Sequence, residues 1–285
     1  MSDSLADKTS LFLSKLGATT KSLVKTAIAG GRSKVKNRHP AGRLIIMGNG
    51  PSLRKNLDEN LGLLRHCDTV AVNFAANAPD FNKIKPKYYV LADPHFFKSE
   101  NDPNVQLLIR NIIASTWHMT LFIPKNCTIW PSLEKHPYIS VEFFNFNGIE
   151  GFECFENIAF DMKWGMPRPR NVLIPSIMIG IWMGYKEIYL IGADHTWTRT
   201  LSVDETNHVV SVQPHFYKEN EHEKSRITST YNNIRMHDIL ESFSVAFKSY
   251  HTIQRYASLR GIKIFNSTPE SFIDAFERRP LLSSH

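Results

Sequence analysis

Short apolar segments alternate with helix-length stretches along most of this chain. Their apolar residues follow one another without alternation, which is typical of strands buried on both faces of a parallel sheet. The longest helical stretch runs from Ile239 to Leu259. The pattern predicts an α/β fold, Rossmann-like, with a mostly parallel sheet and helices on both faces. Strands are predicted at Arg43–Met47, Thr69–Asn73, Tyr88–Ala92, Thr120–Ile123, Glu187–Ile191 and Lys263–Phe265.

Two segments interrupt this rhythm. Residues 143–170 are rich in Phe, Asn, Gly and Pro, and residues from about 198 to 235 are polar without a clear period. A polar insertion of that length is uncommon inside a compact domain and often covers a site. We therefore predict a lid insertion at about 198–235, with a plain surface loop as the alternative.

The first 40 residues have a different pattern. Leu5, Phe12, Leu16 and Leu23 are spaced by seven, four and seven with lysines between them, which predicts an amphipathic helix. Such a helix could contact an anionic membrane, join copies into a homo-oligomer, or form a loosely ordered tail. Residues 30–34 read as a linker, so we predict a basic helix and linker at 1–40 and a catalytic domain at 41–285.

Charge and composition narrow the class of protein. The net charge is +7, of which +6 belongs to residues 1–40, a segment that we call the leader. The high isoelectric point therefore comes from the leader and not from the rest of the chain. No base-reading motif accompanies it, and we expect no nucleic-acid partner. Three widely spaced cysteines argue against a disulfide framework or a structural zinc site. With no signal peptide or membrane span recognised, we expect a cytoplasmic protein, either free or peripheral on the inner membrane face.

The candidate chemistry follows the predicted strands, because ligands of parallel sheets bind beyond the carboxyl ends of strands. The first strand leads into Gly48, Asn49, Gly50, Pro51 and Ser52, where two glycines permit a tight turn and Ser52 could cap the next helix. We expect the turn to leave backbone amides free for a phosphate. The third glycine of the dinucleotide fingerprint is absent, which argues against a simple NAD site.

Polar residues also follow the other strands. Asn73 ends the second, Asp93 and Pro94 follow the third, and Asp194 with His195 follows Glu187–Ile191. An amide and a carboxylate at neighbouring strand ends can bind a ribose or a base edge. His195 is a candidate general base that Asp194 would orient.

Several motifs are missing. The chain has no Asp-x-Asp pair, no phosphate-binding GxxxxGK[ST] loop and no GxSxG elbow. The histidines have no ordinary zinc-ligand spacing. We therefore predict no metal site and no bound cofactor.

Three blocks of sequence together resemble the bacterial sialyltransferases of glycosyltransferase family 42. They are residues 44–53 (LIIMGNGPSL) with Asn73, residues 183–194 (MGYKEIYLIGAD), and residues 261–267 (GIKIFNS). The resemblance implies a metal-independent transferase with a CMP-sialic acid donor as co-substrate, a glycan or glycolipid acceptor at the cell surface, and a lid over the donor.

The resemblance also implies roles for residues. Gly48, Asn49, Gly50 and Ser52 would contact the donor phosphate and sugar, and Asn73 the nucleotide. Asp93 stands where the family has an asparagine, and residues 170–176 replace the family's Arg-x-Thr-Ser-Gly stretch. Pro51, Pro94 and Asn171 complete the predicted donor-binding set. His237 is the positional equivalent of the family's general base, so both His237 and His195 are candidates.

Two other functions stay open. The opening turn is also similar to that of archaeal 6-hydroxymethylpterin diphosphokinases, which implies a diphosphate transfer with ATP and magnesium. The third reading is a non-catalytic nucleotide-binding protein.

Overall fold

Eight short parallel strands form the central sheet of this protein. The computed structural model describes residues 5–99, 101–211, 216 and 234–281. Within these residues the strands are β1 (Leu44–Met47), β2 (Asp68–Val72), β3 (Tyr88–Val90), β4 (Met119–Pro124), β5 (Ile139–Phe144), β6 (Glu187–Ile191), β7 (Leu201–Val203), β8 (Val209–Ser211), β9 (Lys263–Asn266) and β10 (Glu277–Arg278).

The sheet has the order β10-β9-β6-β1-β2-β3-β4-β5, and every neighbouring pair is parallel. β1 therefore lies in the middle, with β2 on one side and β6 on the other. The chain moves outwards from β1 to β5 and then returns to build the other half from β6. This reversal beside β1 is the switch point at which ligands of open α/β sheets bind.

Helices cover both faces of the sheet. They are α1 (Leu5–Ala29), α2 (Leu53–His66), α3 (Phe81–Ile84), α4 (His95–Lys98), α5 (Pro103–Ile113), α6 (Glu153–Asp161), α7 (Leu173–Met183) and α8 (Met236–Ser258). Alternate residues of β1 belong to two cores: Leu44 and Ile46 pack with α6, α7 and α8, whereas Ile45 and Met47 pack with α2 and α5. Both faces are thus apolar, as the unbroken apolar strands predicted. The predicted α/β, Rossmann-like fold is confirmed.

The predicted insertion is described only in part. A short 3-10 helix at Trp197–Thr200 leads into β7, which pairs with β8 as an antiparallel hairpin. Phe216 is described beyond it, and residues 212–215 and 217–233 lie outside the described residues. The lid itself therefore stays a prediction.

Residues 30–38, which include the predicted linker, run along β5 at the sheet edge. The Lys34 amide donates to the Phe143 carbonyl (2.8 Å), and the Asn145 amide donates to the Ser33 hydroxyl (2.9 Å). Val35 is buried in the same core as β1. The segment therefore packs against the domain, and the boundary at residue 40 stays a prediction. Among the described helices, none is long and apolar enough to cross a membrane.

Candidate functional site

The carboxyl ends of β1 and β6 meet at the switch point through two glycines. The Gly48 amide donates to the Ile191 carbonyl (2.8 Å), and the Gly50 amide donates to the Gly192 carbonyl (2.9 Å). A Cβ on Gly48 would collide with the Gly192 carbonyl, and one on Gly192 with the Gly48 carbonyl. Gly192 also has φ +62°, which favours glycine. These glycines let two strand ends approach closely.

This contact occupies two of the backbone amides that we expected to bind a phosphate. The Gly48 and Gly50 N–H groups already donate to β6 and the residue after it, and Pro51 has no N–H. The Ser52 amide and hydroxyl donate to the Asp194 carboxylate (3.3 and 2.7 Å). Asp194 thus occupies the anion position at the start of α2. Burial raises the pKa of Asp194, against the lowering effect of the two Ser52 hydrogen bonds.

Two asparagines at neighbouring strand ends retain unused acceptors. Asn49 follows β1 and its Nδ2 donates to the Val72 carbonyl (3.2 Å), but its buried Oδ1 has no partner. Asn73 follows β2 with a left-handed backbone (φ +48°), and its Oδ1 is also buried without a partner. An unsatisfied buried acceptor costs about 1–3 kcal/mol, so each needs an explanation. A bound ligand with hydroxyl or amino donors supplies one.

Asn171 provides a buried donor just before α7. Its Oδ1 accepts the Leu173 amide (3.0 Å), and the same oxygen accepts the Tyr250 hydroxyl (2.9 Å). These two bonds fix the orientation of the amide. Its Nδ2 is left buried without a partner. Asn171 therefore adds one donor to the two acceptors of Asn49 and Asn73.

His195 is enclosed by aromatic rings rather than exposed to a substrate. Its ring stacks on Trp197 with centroids 4.0 Å apart, and its Nε2 lies 2.6 Å from the Tyr250 hydroxyl. Because Tyr250 donates to Asn171, the His195 Nε2–H donates to Tyr250. Burial lowers the pKa of His195 to about 3, so the ring is neutral near pH 7. Asp194 and His195 are adjacent but serve different contacts.

His237 lies in the first turn of α8 and its side chain is 82% exposed, with Nε2 3.5 Å from Asp238. α8 approaches the end of β6, since Phe243 contacts Trp197 and Tyr250 contacts His195. His237 and Tyr250 are about 20 Å apart along the helix axis, at a rise of about 1.5 Å per residue. The two candidate bases are therefore not brought together.

Asp93 and Pro94 form an exposed turn after β3. The Asp93 carboxylate accepts the His95 amide (2.8 Å), and Pro94 precedes α4. The adjacent His95 ring contacts Asp102 (3.0 Å) and Ser99 (2.9 Å). Within the described residues, Asp93 and Pro94 make no hydrogen bond with the three asparagines Asn49, Asn73 and Asn171.

Sequence reasoning missed several residues that build this edge. Tyr250 links His195 to Asn171, but a tyrosine within a long helix gives no signal beyond core packing. Thr268 accepts the Ala193 amide (3.0 Å), and Ser271 donates to the Ala193 carbonyl (2.6 Å), which fixes the chain before Asp194. Their position after β9 is the one signal that could have identified them.

Phe216 brings the predicted insertion onto the opening turn. Its amide donates to the Asn49 carbonyl (3.0 Å), and its ring lies 5.7 Å from the Arg54 guanidinium. The insertion therefore contacts the residue that carries an unused acceptor. Within the described residues, no group of three or more His, Cys, Asp or Glu side chains could hold a metal ion.

Comparison with known proteins identifies no family for this chain. No family model and no curated protein matches its sequence. Among solved structures, the MAf glycosyltransferase from Magnetospirillum magneticum AMB-1 is similar, with a TM-score of 0.51 and 11% sequence identity. The match covers 87% of this chain but 35% of that one, so this chain spans about a third of its neighbour's length. At this identity the likeness supports the fold alone.

Proposed function

We propose that this protein is a metal-independent glycosyltransferase that moves a sugar from a nucleotide-activated donor to a cell-surface glycan. The observation that carries the proposal is the set of buried, unpartnered side-chain atoms Asn49 Oδ1, Asn73 Oδ1 and Asn171 Nδ2. Asn49 and Asn73 follow the neighbouring strands β1 and β2, and Asn171 is linked through Tyr250 to His195, which follows the next strand, β6. A nucleotide presents the matching ribose hydroxyls and base-edge groups.

The donor is proposed to be CMP-linked sialic acid or a related sugar. Two observations support a sugar nucleotide: the sequence resemblance to family 42 sialyltransferases and the fold shared with the MAf glycosyltransferase. Cytosine has an amino group that can donate a hydrogen bond to an asparagine Oδ1. The lack of an Asp-x-Asp pair in the sequence favours catalysis without a metal.

The geometry changes which groups would stabilise the leaving phosphate. The Gly48 and Gly50 amides and the Ser52 hydroxyl already donate hydrogen bonds within the protein. A different hydrogen-bond donor or a cationic side chain must therefore stabilise the leaving phosphate. Arg170 is exposed and adjoins Asn171 just before α7, so we assign this role to it. Removing its charge in Arg170→Gln would then reduce kcat, because the phosphate carries more charge in the transition state.

His237 is the better candidate for the general base. A base must accept a proton near neutral pH and reach the acceptor hydroxyl. The low pKa and aromatic enclosure of His195 suit neither requirement, whereas His237 is exposed on the end of α8 that extends beyond Trp197. His195 then acts as a positioning residue, since its Nε2–H holds the Tyr250 hydroxyl toward Asn171.

A thermal-shift panel of CMP, CDP, UDP, GDP and ATP, each with EDTA or with magnesium, tests the proposal. A ligand present at about 100 times its Kd stabilises the folded form by about 2.7 kcal/mol, enough to raise Tm by several degrees. We expect CMP to do so in EDTA. Stabilisation by ATP that requires magnesium would instead favour the diphosphokinase. No response to any nucleotide would contradict nucleotide binding.

Asn73→Gly is the informative variant in this panel. Glycine accepts the left-handed backbone of Asn73 without strain, so the change removes the side-chain amide and leaves the backbone as it is. We expect the CMP-induced shift to fall by at least half while the unliganded Tm changes little. Asn157→Ala is the matched control, because its Oδ1 is also buried and unpartnered but lies on α6. An equal loss in both variants would remove the link to the site.

A further inference from the structure

The amphipathic helix α1 is docked with its small, polar face inwards. The Ser22 hydroxyl donates to the Glu150 carbonyl (2.9 Å) and accepts the Glu150 amide (3.0 Å), and Thr19 accepts the Phe152 amide (3.0 Å). A Cβ on Gly151 would collide with Thr19. These contacts hold the helix against the loop after β5.

Phe12 packs on Phe152 of the same loop, with ring centroids 5.3 Å apart, but the other described large apolar side chains of α1 are exposed. Helices of globular proteins ordinarily bury this stripe against the core. Here the exposed fractions reach 82% for Ile28 and 59% for Leu13. The exposed apolar residues on the undocked side are Leu13, Leu16, Leu23, Val24 and Ile28. A contiguous exposed apolar surface of this kind marks an interaction site.

Lysines border this surface. A shallow groove on the helix is lined by Leu13, Leu16 and Val24 together with Lys21 and Lys25. The 40-residue leader carries a net charge of +6, against +1 for the rest of the chain. An apolar stripe beside lysines on one helix is the pattern that inserts into the interface of an anionic bilayer.

The position of α1 would place a bound membrane next to the carboxyl edge of the sheet, where the proposed donor binds. The Lys125 ammonium, just after β4, donates to the Gly30 carbonyl at the end of α1. The docking loop at 150–152 likewise follows the carboxyl end of β5. α1 thus lies at the carboxyl edge of the sheet, as do Asn49 and Asn73.

We propose that the exposed face of α1, defined by Leu13, Leu16, Leu23, Val24 and Ile28, docks onto an anionic lipid bilayer. Charge complementarity favours lipid over a second copy of the chain, because two such faces would place Lys21 and Lys25 of one copy near those of the other. The apolar residues enter the acyl boundary, and the lysines contact the lipid phosphates. This inference does not depend on the transferase reaction.

Vesicle sedimentation of the full chain without nucleotide tests it. With vesicles of phosphatidylcholine and phosphatidylglycerol at a ratio of about 7:3, we expect the wild type to pellet, and to pellet far less with phosphatidylcholine alone. The triple variant Leu13→Gln/Leu16→Gln/Val24→Gln should stay in the supernatant. Lys21→Gln/Lys25→Gln should weaken binding about tenfold, with the remainder sensitive to salt.

Leu107→Gln/Leu259→Gln is the control, since both leucines are exposed but belong to other elements, Leu107 to α5 and Leu259 to the turn after α8. It should bind as the wild type does, and circular dichroism should show every variant folded. Wild type that remains in the supernatant, or a triple variant that still pellets, would overturn the proposal. So would a wild-type dimer by light scattering that the triple variant lacks, if neither binds vesicles. Because no donor is present, failure here leaves the nucleotide panel unaffected.

Discussion

At the scale of single residues, the site is marked by polar atoms that the chain leaves unsatisfied. The sequence predicted free amides in the opening turn, but those of Gly48 and Gly50 donate to backbone carbonyls where β1 meets β6. The asparagines carry the unused capacity instead. Proteins bury such atoms rarely because each one costs stability. Three of them around one switch point are more informative than the glycine turn itself.

The His195 ring should make folding sensitive to acid. The unfolded imidazole binds a proton near pH 6.5, whereas burial keeps the folded ring neutral down to about pH 3. Stability therefore falls as pH drops through this window, by about 2 kcal/mol between about pH 7 and pH 5. We expect His195→Gln, measured by urea unfolding, to lose about 2 kcal/mol less than wild type over that interval.

Exposed His118 provides the comparison for this measurement. His118→Gln should retain the wild-type difference over the same pH interval. If His195→Gln shows the same acid loss as the wild type, the ring is not held neutral in the folded state.

Sequence identified the chemical residue types but not their environments. Asn49, Asn73 and Asn171 were found because they follow strand ends or a recognisable block, and their polarity suits a ligand. His195 was found by the same logic, yet its enclosure depends on Trp197 and on distant residues of α8, among them Tyr250, 55 positions further along. Contacts at that separation cannot be inferred from local pattern.

At the scale of elements, strands with unbroken apolar runs were predicted correctly, whereas strands with interspersed polar residues were missed. Glu187–Ile191 was predicted to the residue, because its apolar positions are all buried under helices. β5 (Ile139–Phe144) was missed since Ser140 and Glu142 interrupt it at the sheet edge. The buried Glu142 is paired with the Arg38 guanidinium (2.7 Å) and also accepts the Lys36 amide (3.1 Å), and neither contact is visible in the local pattern. The hairpin β7–β8 was missed within a polar insertion for a similar reason.

The junction of β1 and β6 should tolerate no added methyl group. A Cβ on Gly48 or Gly192 meets the opposite backbone carbonyl, which cannot move without breaking the strand pairing. We expect Gly48→Ala and Gly192→Ala each to lower the free energy of unfolding by about 2–4 kcal/mol. Gly192→Ala should be worse, because it also strains φ +62°.

Gly62 supplies the opposite expectation within α2. A methyl group added there would meet no atom outside its own stretch of helix within 4 Å, and Gly62 lies in the last turns of α2, after the kink at Asn60. Gly62→Ala should therefore stabilise the protein by about 0.5–1 kcal/mol. Urea unfolding of the three variants measures all of these differences. A Gly48→Ala protein as stable as Gly62→Ala would mean that the strand ends are not in close contact.

At the scale of the whole molecule, the leader divides into two parts with different roles. α1 touches the domain through Ser22, Thr19 and Phe12 and exposes its other described large apolar side chains. Residues 30–38 are joined to β5 and to the core through Val35. Both parts are basic, so the sequence did not distinguish them. The charge of a segment does not show whether its backbone forms hydrogen bonds with a strand of the sheet.

Two truncations should separate these parts. Removing residues 1–29 deletes α1 and its few hydrogen bonds, so we expect the free energy of unfolding to fall by about 1–2 kcal/mol. Removing residues 1–40 also exposes the Val35 pocket and leaves the buried Glu142 without Arg38. Loss of a buried apolar side chain and of one partner of a buried ion pair should cost at least about 3 kcal/mol more. Urea unfolding decides between them, since equal stability of the two truncations would place the domain boundary at residue 40 rather than near residue 30.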